Sequence, residues 1–400
     1  MVALVEPLGA DDPQQVGDFR LQARVGAGGM GRVYLGYSPG GRPVAVKVVH
    51  PELARDPEFM QRFRREVAAA QAVSGAYTAA VVGAGPDDSP PWLATTYVPG
   101  PPLADLVTRA GPLPEDAVWR LAGGLAEALQ AIHAQGLVHR DLKPGNILVA
   151  ADGPRVIDFG ISRTTSGTVV TATQTAIGTP AYMSPEQAQG LPVGPASDIF
   201  SLGSVLAFAA SGVSPFGGGE LFAIGFRVVH GEPDLTGVPA SVRPVIDACL
   251  AKDPAARPDL GELMRTVAAS SAAYPTVAPG MFWPGQVAAM LETGEFKPTL
   301  PPPTIAPPPS PPTLGSQPGQ YASQPGLPQS AQSRPGQVAS PAAEPVVHRR
   351  RGPRWLLPVA LGVAVAIGAV IAIVLALSPG PKAPGFEPGV SSTPAATATG

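Results

Sequence analysis

The first part of the chain contains three short runs that are rich in apolar and β-branched residues, Phe19–Val25, Arg32–Tyr37 and Pro43–Val49. Runs of this length and composition are typical of β-strands. Ser38-Pro39-Gly40-Gly41 separates the last two runs and combines the residues that favour tight turns. The pattern therefore predicts a β-rich start with at least one hairpin.

Helical periodicity dominates the chain after these runs. Glu58–Ala72 has charged and apolar faces, and Pro57 just ahead of it suits the start of a helix. Pro114–Gln135 and Ala196–Ala210 also repeat apolar residues at helical spacing. A strand-rich start before a helix-rich remainder predicts an α+β fold in two lobes, which we place at residues 19–273 after an N-terminal extension of residues 1–18.

The composition changes after this predicted globular part. Residues 274–354 are dominated by Pro, Gly, Ser, Gln and Ala, and they include Pro301-Pro302-Pro303 and Pro307-Pro308-Pro309. Such a sequence buries too little apolar surface to fold alone, so we expect a disordered, proline-rich linker. Met281-Phe282-Trp283 is an apolar island within it. Docking of this island onto the globular part and local clustering in a disordered chain are both compatible with the sequence.

An apolar run without charged residues extends over Trp355–Leu377. It is long enough to cross the ~30 Å hydrocarbon core of a bilayer as a helix, and a buried core helix is the weaker alternative. Four arginines stand just before it, at Arg349, Arg350, Arg351 and Arg354, and only Lys382 comes closely after it. The positive-inside rule then predicts a single-pass protein of the cell membrane, in contact with its lipid. We expect the long N-terminal part in the cytoplasm and residues 378–400 as a short tail outside.

The net charge limits the kinds of partner that we expect, and the cysteine content limits the kinds of cellular compartment. The formal net charge of -3 provides no general attraction to nucleic acid, and we expect no nucleic-acid partner. The single cysteine, Cys249, excludes an intrachain disulfide framework and is typical of a reducing compartment. We expect its side chain to be a small buried apolar group.

A glycine-rich segment, Gly26-Ala27-Gly28-Gly29-Met30-Gly31, matches the pattern G-x-G-x-x-G. The match alone is weak, because dinucleotide-binding folds share it. In those folds the loop leads into a helix, whereas here Arg32-Val33-Tyr34-Leu35 continues as a strand. The tip of such a hairpin lets backbone N–H groups approach phosphate oxygens without a Cβ in the way. The sequence therefore favours a phosphate-binding hairpin.

Lys47 ends the next apolar strand, in the string Val44-Ala45-Val46-Lys47. In isolation such a lysine is a surface residue with a buried stem. After a glycine-rich hairpin, we instead expect an ammonium group directed at phosphates. It needs a carboxylate to hold it, and Glu66 on the predicted helix is the candidate. Glu58, about two turns earlier, is the competing carboxylate.

Two further strings contain the groups that phosphoryl transfer needs. His139-Arg140-Asp141-Leu142-Lys143-Pro144-Gly145-Asn146 offers a carboxylate, a lysine and an amide within six positions. Asp158-Phe159-Gly160 adds a second carboxylate. This set provides a base for a hydroxyl, a cation for a phosphate and two oxygen ligands for Mg²⁺.

Taken together, these motifs resemble those of the eukaryotic-type (Hanks-type) Ser/Thr protein kinases of bacteria. Met183-Ser184-Pro185-Glu186, Asp198-Ile199-Phe200-Ser201-Leu202-Gly203 and Ala256-Arg257-Pro258 extend the resemblance, which covers roughly Phe19–Ala268. The layout of linker and membrane span is similar to that of actinobacterial transmembrane kinases. The resemblance implies a bilobal fold, with a β-rich N-lobe at about 19–98 and a helical C-lobe at about 99–273.

The resemblance also implies roles for individual residues. Asp141 would accept the proton of a substrate hydroxyl, and Lys143 would steady the γ-phosphate of ATP. Asn146 and Asp158 would hold Mg²⁺ or Mn²⁺. The implied ATP-binding residues, including the backbone of the hinge, are Val25, Gly26, Ala27, Gly28, Gly29, Met30, Gly31, Val33, Ala45, Lys47, Thr96, Val98 and Leu148.

The same resemblance carries implications for regulation and partners. Thr173 and Thr175 stand where bacterial relatives autophosphorylate, and a phosphate there would pair with Arg140. Glu186 and Arg257 match a buried structural ion pair. Protein Ser/Thr residues are the implied substrates, and a homodimer is a candidate assembly.

Two other readings of the chain compete with an active protein kinase. One is a catalytically inactive, kinase-like scaffold that recruits partners through its fold and its proline-rich linker. The filled catalytic positions disfavour it. The other is a small-molecule phosphotransferase, which Lys143 and Ser184-Pro185-Glu186 disfavour.

Overall fold

The computed structural model describes residues 6–159, 180–271, Tyr274 and 281–292, all within the unit Met1–Pro311. The strands are β1 Glu6–Pro7, β2 Gln15–Val16, β3 Phe19–Ala27, β4 Gly31–Tyr37, β5 Pro43–Val49, β6 Val81–Gly85, β7 Trp92–Thr96, β8 Ile147–Ala150 and β9 Gly153–Val156. The helices are α1 Pro51–Ala54, α2 Pro57–Ala72, α3 Leu103–Ala110, α4 Glu115–His133, α5 Pro185–Ala188, α6 Pro195–Ser211, α7 Leu221–His230, α8 Arg243–Cys249, α9 Leu260–Ser271 and α10 Gly285–Glu292.

The first lobe is an antiparallel sheet with the strand order β1-β3-β4-β5-β7-β6, and β2 also pairs with β3. Alternation along β5 separates its two faces, since Val44 and Val46 are buried while Ala45 and Lys47 are only partly covered. Helix α2 begins where Asp56 accepts the backbone N–H groups of Glu58 and Phe59. This cap satisfies donors that would otherwise lack partners at the helix start.

The second lobe is helical and surrounds α4 and α6. Helix α6 is buried on nearly all sides, so its apolar residues show no single hydrophobic stripe. Helices α4 and α9 pack together, and α6 packs on α8, where Gly203 allows the close approach of Cys249. Cys249 is fully buried, as predicted, and burial raises the pKa of its thiol to about 12.

The predicted elements agree with those observed. The three predicted strands correspond to β3, β4 and β5, and the helices predicted at Glu58–Ala72, Pro114–Gln135 and Ala196–Ala210 correspond to α2, α4 and α6. The boundaries differ by one or two residues, as expected for element ends. The α+β arrangement in two lobes is therefore confirmed.

The N-terminal boundary of the folded part differs from the prediction. Residues 6–18 were assigned to an extension, yet Glu6–Pro7 and Gln15–Val16 both pair with β3. Val16 is 5% exposed and joins a small core with Phe19 and Trp92 on the sheet. The segment is part of the first lobe because it covers apolar residues that the sheet would otherwise expose.

The C-terminal boundary also differs. Disorder was expected from residue 274, but Trp283 is 1% exposed and donates its indole N–H to the carbonyl oxygen of Ala150 at 2.7 Å. Phe282 packs edge-on against Tyr77, and Val287 of α10 is fully buried. The docking reading of the apolar island is thus confirmed, and for residues 281–292 the expected disorder is corrected. A few large apolar side chains are enough to hold a short segment on a preformed core.

Several predictions fall on other parts of the chain. Thr173, Thr175, the rest of the predicted linker and the apolar run Trp355–Leu377 lie outside the described residues. Among the helices that the structure does describe, none has the length and apolar character needed to span a membrane.

Candidate active site

The loop between α4 and β8 brings together two predicted catalytic residues, Asp141 and Lys143, and the predicted metal ligand Asn146. Lys143 Nζ lies 2.8 Å from Asp141 Oδ2, and both side chains are about one quarter exposed. The amide nitrogen of Asn146 donates to the main-chain oxygen of Asp141 at 2.8 Å and to its Oδ2 at 3.1 Å. These contacts orient the Asp141 carboxylate while one side of it remains accessible.

A buried carboxylate on α6, that of Asp198, fixes the backbone of this loop through hydrogen bonds. Asp198 Oδ2 accepts the backbone N–H of His139 at 2.8 Å, and Oδ1 accepts that of Arg140 at 2.9 Å. His133 Nε2 completes the set at 2.7 Å from Oδ2. From the sequence, Asp198 was part of a family motif without a stated function, and His133 had no role. The usable signal was a charged residue inside an otherwise apolar helix, because such a charge needs partners.

Two residues of the site have a backbone conformation that L-amino acids seldom adopt. Arg140 has a φ of 64° and Asp158 a φ of 57°, both in the left-handed region. Strain of this kind persists only where the surroundings enforce it. At Arg140, Asp198 binds the N–H and Gln187 donates to the carbonyl oxygen at 2.7 Å.

His139 is buried within the catalytic loop, where its ring forms hydrogen bonds with two backbone groups. Its Nδ1 accepts the backbone N–H of Asp141 at 3.2 Å, so the proton of the neutral ring lies on Nε2 and points to the carbonyl oxygen of Ile157. Burial lowers the pKa of His139, although the neighbouring Asp198 and Asp141 oppose this effect. The ring is therefore neutral, and it positions Asp141 without carrying charge.

The glycine-rich segment forms the turn between β3 and β4. Gly28 and Gly31 exchange backbone hydrogen bonds of 2.9 and 3.2 Å, which close the tip of the hairpin. A Cβ on Gly31 would lie 2.0 Å from the carbonyl oxygen of Val48, so this position requires glycine. The side chain of Met30 is buried in the core and anchors the loop, so the predicted phosphate contact of this residue would come from its backbone.

Lys47 contacts a different carboxylate from the one predicted. Its Nζ lies 3.0 Å from Asp158 Oδ1. In the described part of the chain, no ion pair within 4 Å joins Lys47 to Glu66. The competing candidate Glu58 has an 85% exposed side chain and faces Arg62 on the surface. The structure therefore excludes Glu58, and it shows the Lys47 ammonium group paired with Asp158 in place of Glu66.

Glu66 is nevertheless an unusual carboxyl group. Burial raises its pKa to about 7, against the attraction of Arg140 and then of Arg62. A cation that approaches such a carboxyl group stabilises its charged form and lowers its pKa. Pairing with Lys47 in another arrangement of α2 would supply that cation.

The predicted adenine-binding residues come from both lobes, since Val33 and Ala45 lie on β4 and β5 and Leu148 lies on β8. Val33, Ala45 and Leu148 are each partly exposed, whereas Val46 and Val149 on the neighbouring positions are fully buried. The predicted hinge, residues 96–98, begins at Thr96, the last residue of β7. The N–H of Thr96 donates to the carbonyl oxygen of Ala80 at 2.8 Å, so of its two backbone groups only the carbonyl can face a nucleotide base.

The residues assigned to a metal fit Mg²⁺ chemically. Asn146 uses its amide nitrogen for hydrogen bonds, which leaves the carbonyl oxygen for a cation, and Asp158 contributes a 38% exposed carboxylate. Hard oxygen ligands suit Mg²⁺ or Mn²⁺. Within the ranges described, no cluster of three or more His, Cys, Asp or Glu side chains could hold a metal alone. Two protein oxygens match an ion that is shared with substrate phosphates.

Glu186 and Arg257 form a bidentate ion pair in the second lobe. Arg257 Nη1 donates to Glu186 Oε1 and Arg257 Nη2 donates to Glu186 Oε2, each at 2.8 Å. The two side chains are at most 7% exposed. Burial raises the pKa of Glu186, but the hydrogen bonds from Arg257 outweigh it and the net shift is downward. Arg257 also donates to the carbonyl oxygens of Ala251 and Ala196, so the pair joins α5, α6 and the turn before α9.

Comparison with known proteins identifies the family. Residues 19–267, well over half of the chain, match the protein kinase domain family, and the chain belongs to it. The probable serine/threonine-protein kinase PkwA of Thermomonospora curvata is 49% identical over 317 residues, which cover 78% of this chain and 42% of that protein. The serine/threonine-protein kinase AfsK of Streptomyces griseus is 56% identical over 259 residues, which cover 64% of this chain and 32% of that protein. The resemblance to bacterial Hanks-type kinases is confirmed.

A solved structure supports the same fold. The crystal structure of the Mycobacterium tuberculosis PknI kinase domain has a TM-score of 0.52 and 26% identity, and covers 65% of this chain and 97% of that domain. The bilobal protein kinase fold is thereby confirmed. The chain spans less than half the length of the curated relatives PkwA and AfsK.

Proposed function

We propose that this protein is a Ser/Thr protein kinase that transfers the γ-phosphate of ATP to Ser or Thr hydroxyls of proteins. One observation carries the proposal: Lys143 and Asn146 both contact the Asp141 carboxylate, on a loop that Asp198 holds in position. The names of the relatives support the Ser/Thr class, and Lys143 is typical of it.

Each residue of the site has a distinct part in the transfer. Asp141 orients the substrate hydroxyl and accepts its proton as the oxygen attacks the γ-phosphorus, while the bond from that phosphorus to the bridging oxygen breaks and ADP leaves. Lys143, 2.8 Å from that carboxylate, places a positive charge beside the group being transferred. Asn146 and Asp158 would hold Mg²⁺ or Mn²⁺, which supplies charge neutralisation at the phosphates. Lys47 adds a cation on the other side of the cleft.

The test is phosphate incorporation by the purified chain and by Asp141→Asn, with labelled ATP and Mg²⁺. We expect the variant to lose at least about a hundredfold in rate, because general base catalysis and substrate orientation are both lost. Asp87→Asn, which alters an exposed pair with Arg64, serves as the matched control and should keep full activity. Equal labelling by the wild-type protein and Asp141→Asn would instead support the inactive scaffold.

The activation segment is part of this proposal. Phosphorylation of Thr173 or Thr175 would place two negative charges where Arg140 can pair with them, and would order the loop for substrate binding. Mass spectrometry after incubation with ATP tests this. An active enzyme without phosphate on residues 160–182 would contradict it.

We further propose that the kinase is tethered to the cytoplasmic membrane through Trp355–Leu377, with the N-terminal part on the cytoplasmic side. Support comes from the apolar run and from the arginines before it. Carbonate extraction of membranes and protease treatment of spheroplasts test the insertion and its orientation. Release of the chain by carbonate, or digestion of the kinase part from outside, would contradict the proposal.

A further inference from the structure

The side chain of Asp12, outside the catalytic loop, accepts five hydrogen bonds from four residues. Asp12 lies before the part of the chain that matches the kinase family, and its side chain is fully inaccessible to solvent. It accepts hydrogen bonds from Gly9 N at 2.7 Å, Arg24 Nε at 2.5 Å, Arg24 Nη2 at 3.0 Å, Arg32 Nη1 at 3.3 Å and Tyr34 Oη at 2.8 Å. The sequence pattern assigned it no role.

The partners of Asp12 belong to both stems of the glycine-rich hairpin. Arg24 stands on β3, two residues before Gly26, and Arg32 stands on β4, directly after Gly31. Arg24 and Tyr34 are paired across the two strands. A single carboxylate therefore cross-links the two strands at the base of the loop.

The cross-link lies on the face of the hairpin away from the nucleotide. Successive strand residues point to opposite faces, so Arg32 and Tyr34 share one face and Val33 points to the other. Val33 is the residue assigned to the adenine side of the cleft. Asp12 can thus hold the hairpin without touching the nucleotide.

The carboxylate is presented by a preformed turn. Asp12 N donates to the carbonyl oxygen of Gly9 at 3.1 Å, while Gly9 N donates back to the Asp12 side chain. A Cβ on Gly9 would lie 2.9 Å from Arg24 Nη2, so glycine allows the arginine to approach. The hydrogen bond from Arg24 lowers the pKa of Asp12 to about 2 in spite of burial, so the side chain is a carboxylate at neutral pH.

We propose that Asp12 is a positioning residue for ATP binding: by cross-linking Arg24 and Arg32 it fixes the stems of the glycine-rich hairpin, and so keeps the loop N–H groups directed at the nucleotide phosphates. The inference rests on the proposed kinase function. A loop that must be ordered by the ligand binds it less tightly than a loop that is already ordered. The loss of Asp12 should therefore weaken ATP binding more than it slows the chemical step.

The experiment compares the full chain with Asp12→Asn, which keeps the size of the side chain and removes its charge. The matched control is Asp87→Asn, because Asp87 also accepts an Arg Nε, from Arg64, at 2.6 Å but lies on the surface. KM for ATP and kcat are measured with myelin basic protein as a general substrate, well below the melting temperature of each variant. We expect Asp12→Asn to raise KM for ATP about fivefold or more and to leave kcat within about twofold. We expect no change for Asp87→Asn.

A KM for ATP equal to that of the wild-type protein, or a fall in kcat alone, would overturn the proposal and leave Asp12 as an anchor of the N-terminal segment. If Asp12→Asn does not fold, Arg32→Gln removes one stem from the cross-link and should raise KM for ATP about two- to fivefold; an unchanged KM overturns the proposal. A wild-type chain that transfers no phosphate would refute the proposed function instead. Binding of a fluorescent ATP analogue to the wild-type and variant proteins then still tests the role of Asp12, since equal affinities would reject it.

Discussion

The indole N–H of Trp283 donates to the carbonyl oxygen of Ala150 at 2.7 Å, and this bond fastens a segment beyond the family match to the strand that comes after the catalytic loop. Phe282 beside it packs on Tyr77, between α2 and β6. Phe282 and Trp283 therefore contact the connection after α2 and the β8–β9 hairpin, respectively.

Trp283→Ala tests how much this segment stabilises the kinase fold. We expect the free energy of unfolding to fall by about 3–5 kcal/mol, because a fully buried indole leaves a cavity and a carbonyl oxygen without its partner. Phe222→Ala is the control, since Phe222 is 69% exposed and should change the stability by less than about 0.5 kcal/mol. Urea unfolding followed by tryptophan fluorescence and circular dichroism provides the measurement. Equal midpoints for Trp283→Ala and the wild-type protein would show that the docked segment does not contribute.

Asp198→Asn tests the support of the catalytic loop. An amide nitrogen in place of one carboxylate oxygen would face backbone donors, so we expect the left-handed conformation of Arg140 to relax. kcat should fall about 10–100-fold as Asp141 loses its position. The control is Ser204→Ala on the same helix, because the buried Ser204 hydroxyl has no hydrogen-bond partner among the described residues. Equal kcat values for Asp198→Asn and Ser204→Ala would contradict the assigned role.

Glu66→Gln tests the raised pKa of the carboxyl group on α2. The folded pKa of about 7 exceeds the ordinary value of 4.5, so the native state binds more protons than the unfolded state between these values. The wild-type protein should therefore lose stability as the pH rises from about 4.5 to 7, and stay at the lower level above 7. The variant carries no such charge and should be more stable than the wild-type protein by about 1–3 kcal/mol at pH 8, with no difference near pH 4.5.

Thermal unfolding between pH 5 and pH 8 measures this difference for Glu66. Parallel stability curves for the two proteins would refute the raised pKa. Phosphate transfer by Glu66→Gln should fall at the same time, because a neutral amide cannot hold the ammonium of Lys47 in an active arrangement. A variant that is more stable and less active would show that the Glu66 carboxylate contributes to phosphate transfer and lowers the free energy of unfolding.

Arg257→Met tests the buried ion pair. Its removal leaves the Glu186 carboxylate buried without its cation, and we expect a loss of about 3–5 kcal/mol in the free energy of unfolding. The double variant Glu186→Leu with Arg257→Met should recover part of this loss, because the stranded charge is then absent. A double-mutant cycle with urea unfolding measures the coupling. Additive effects of the two substitutions would show that the pair is not coupled.

Much of this fold could be predicted from local patterns. The strands β3 to β5 and the helices α2, α4 and α6 have the residue spacing that their structures require, and the motifs around Asp141 and Asp158 have a fixed order. The sequence pattern misassigned residues 6–18 and 281–292, because the first segment is mostly polar and the second is a short apolar stretch at the start of a proline-rich region. Docking depends on a surface made by distant parts of the chain, which a local pattern does not contain.

The sequence by itself determined the family and the two-lobed fold, and it singled out the candidate catalytic and metal-binding residues, because each depends on residue types at short, fixed spacing. Only the tertiary structure decided which groups meet: Lys47 with Asp158 rather than Glu66, Asp198 with the catalytic loop, and Asp12 with both stems of the glycine-rich hairpin. The physical reason is that ion pairs and hydrogen bonds form between neighbours in space. These neighbours stand up to 111 positions apart in the chain, as Lys47 and Asp158 do.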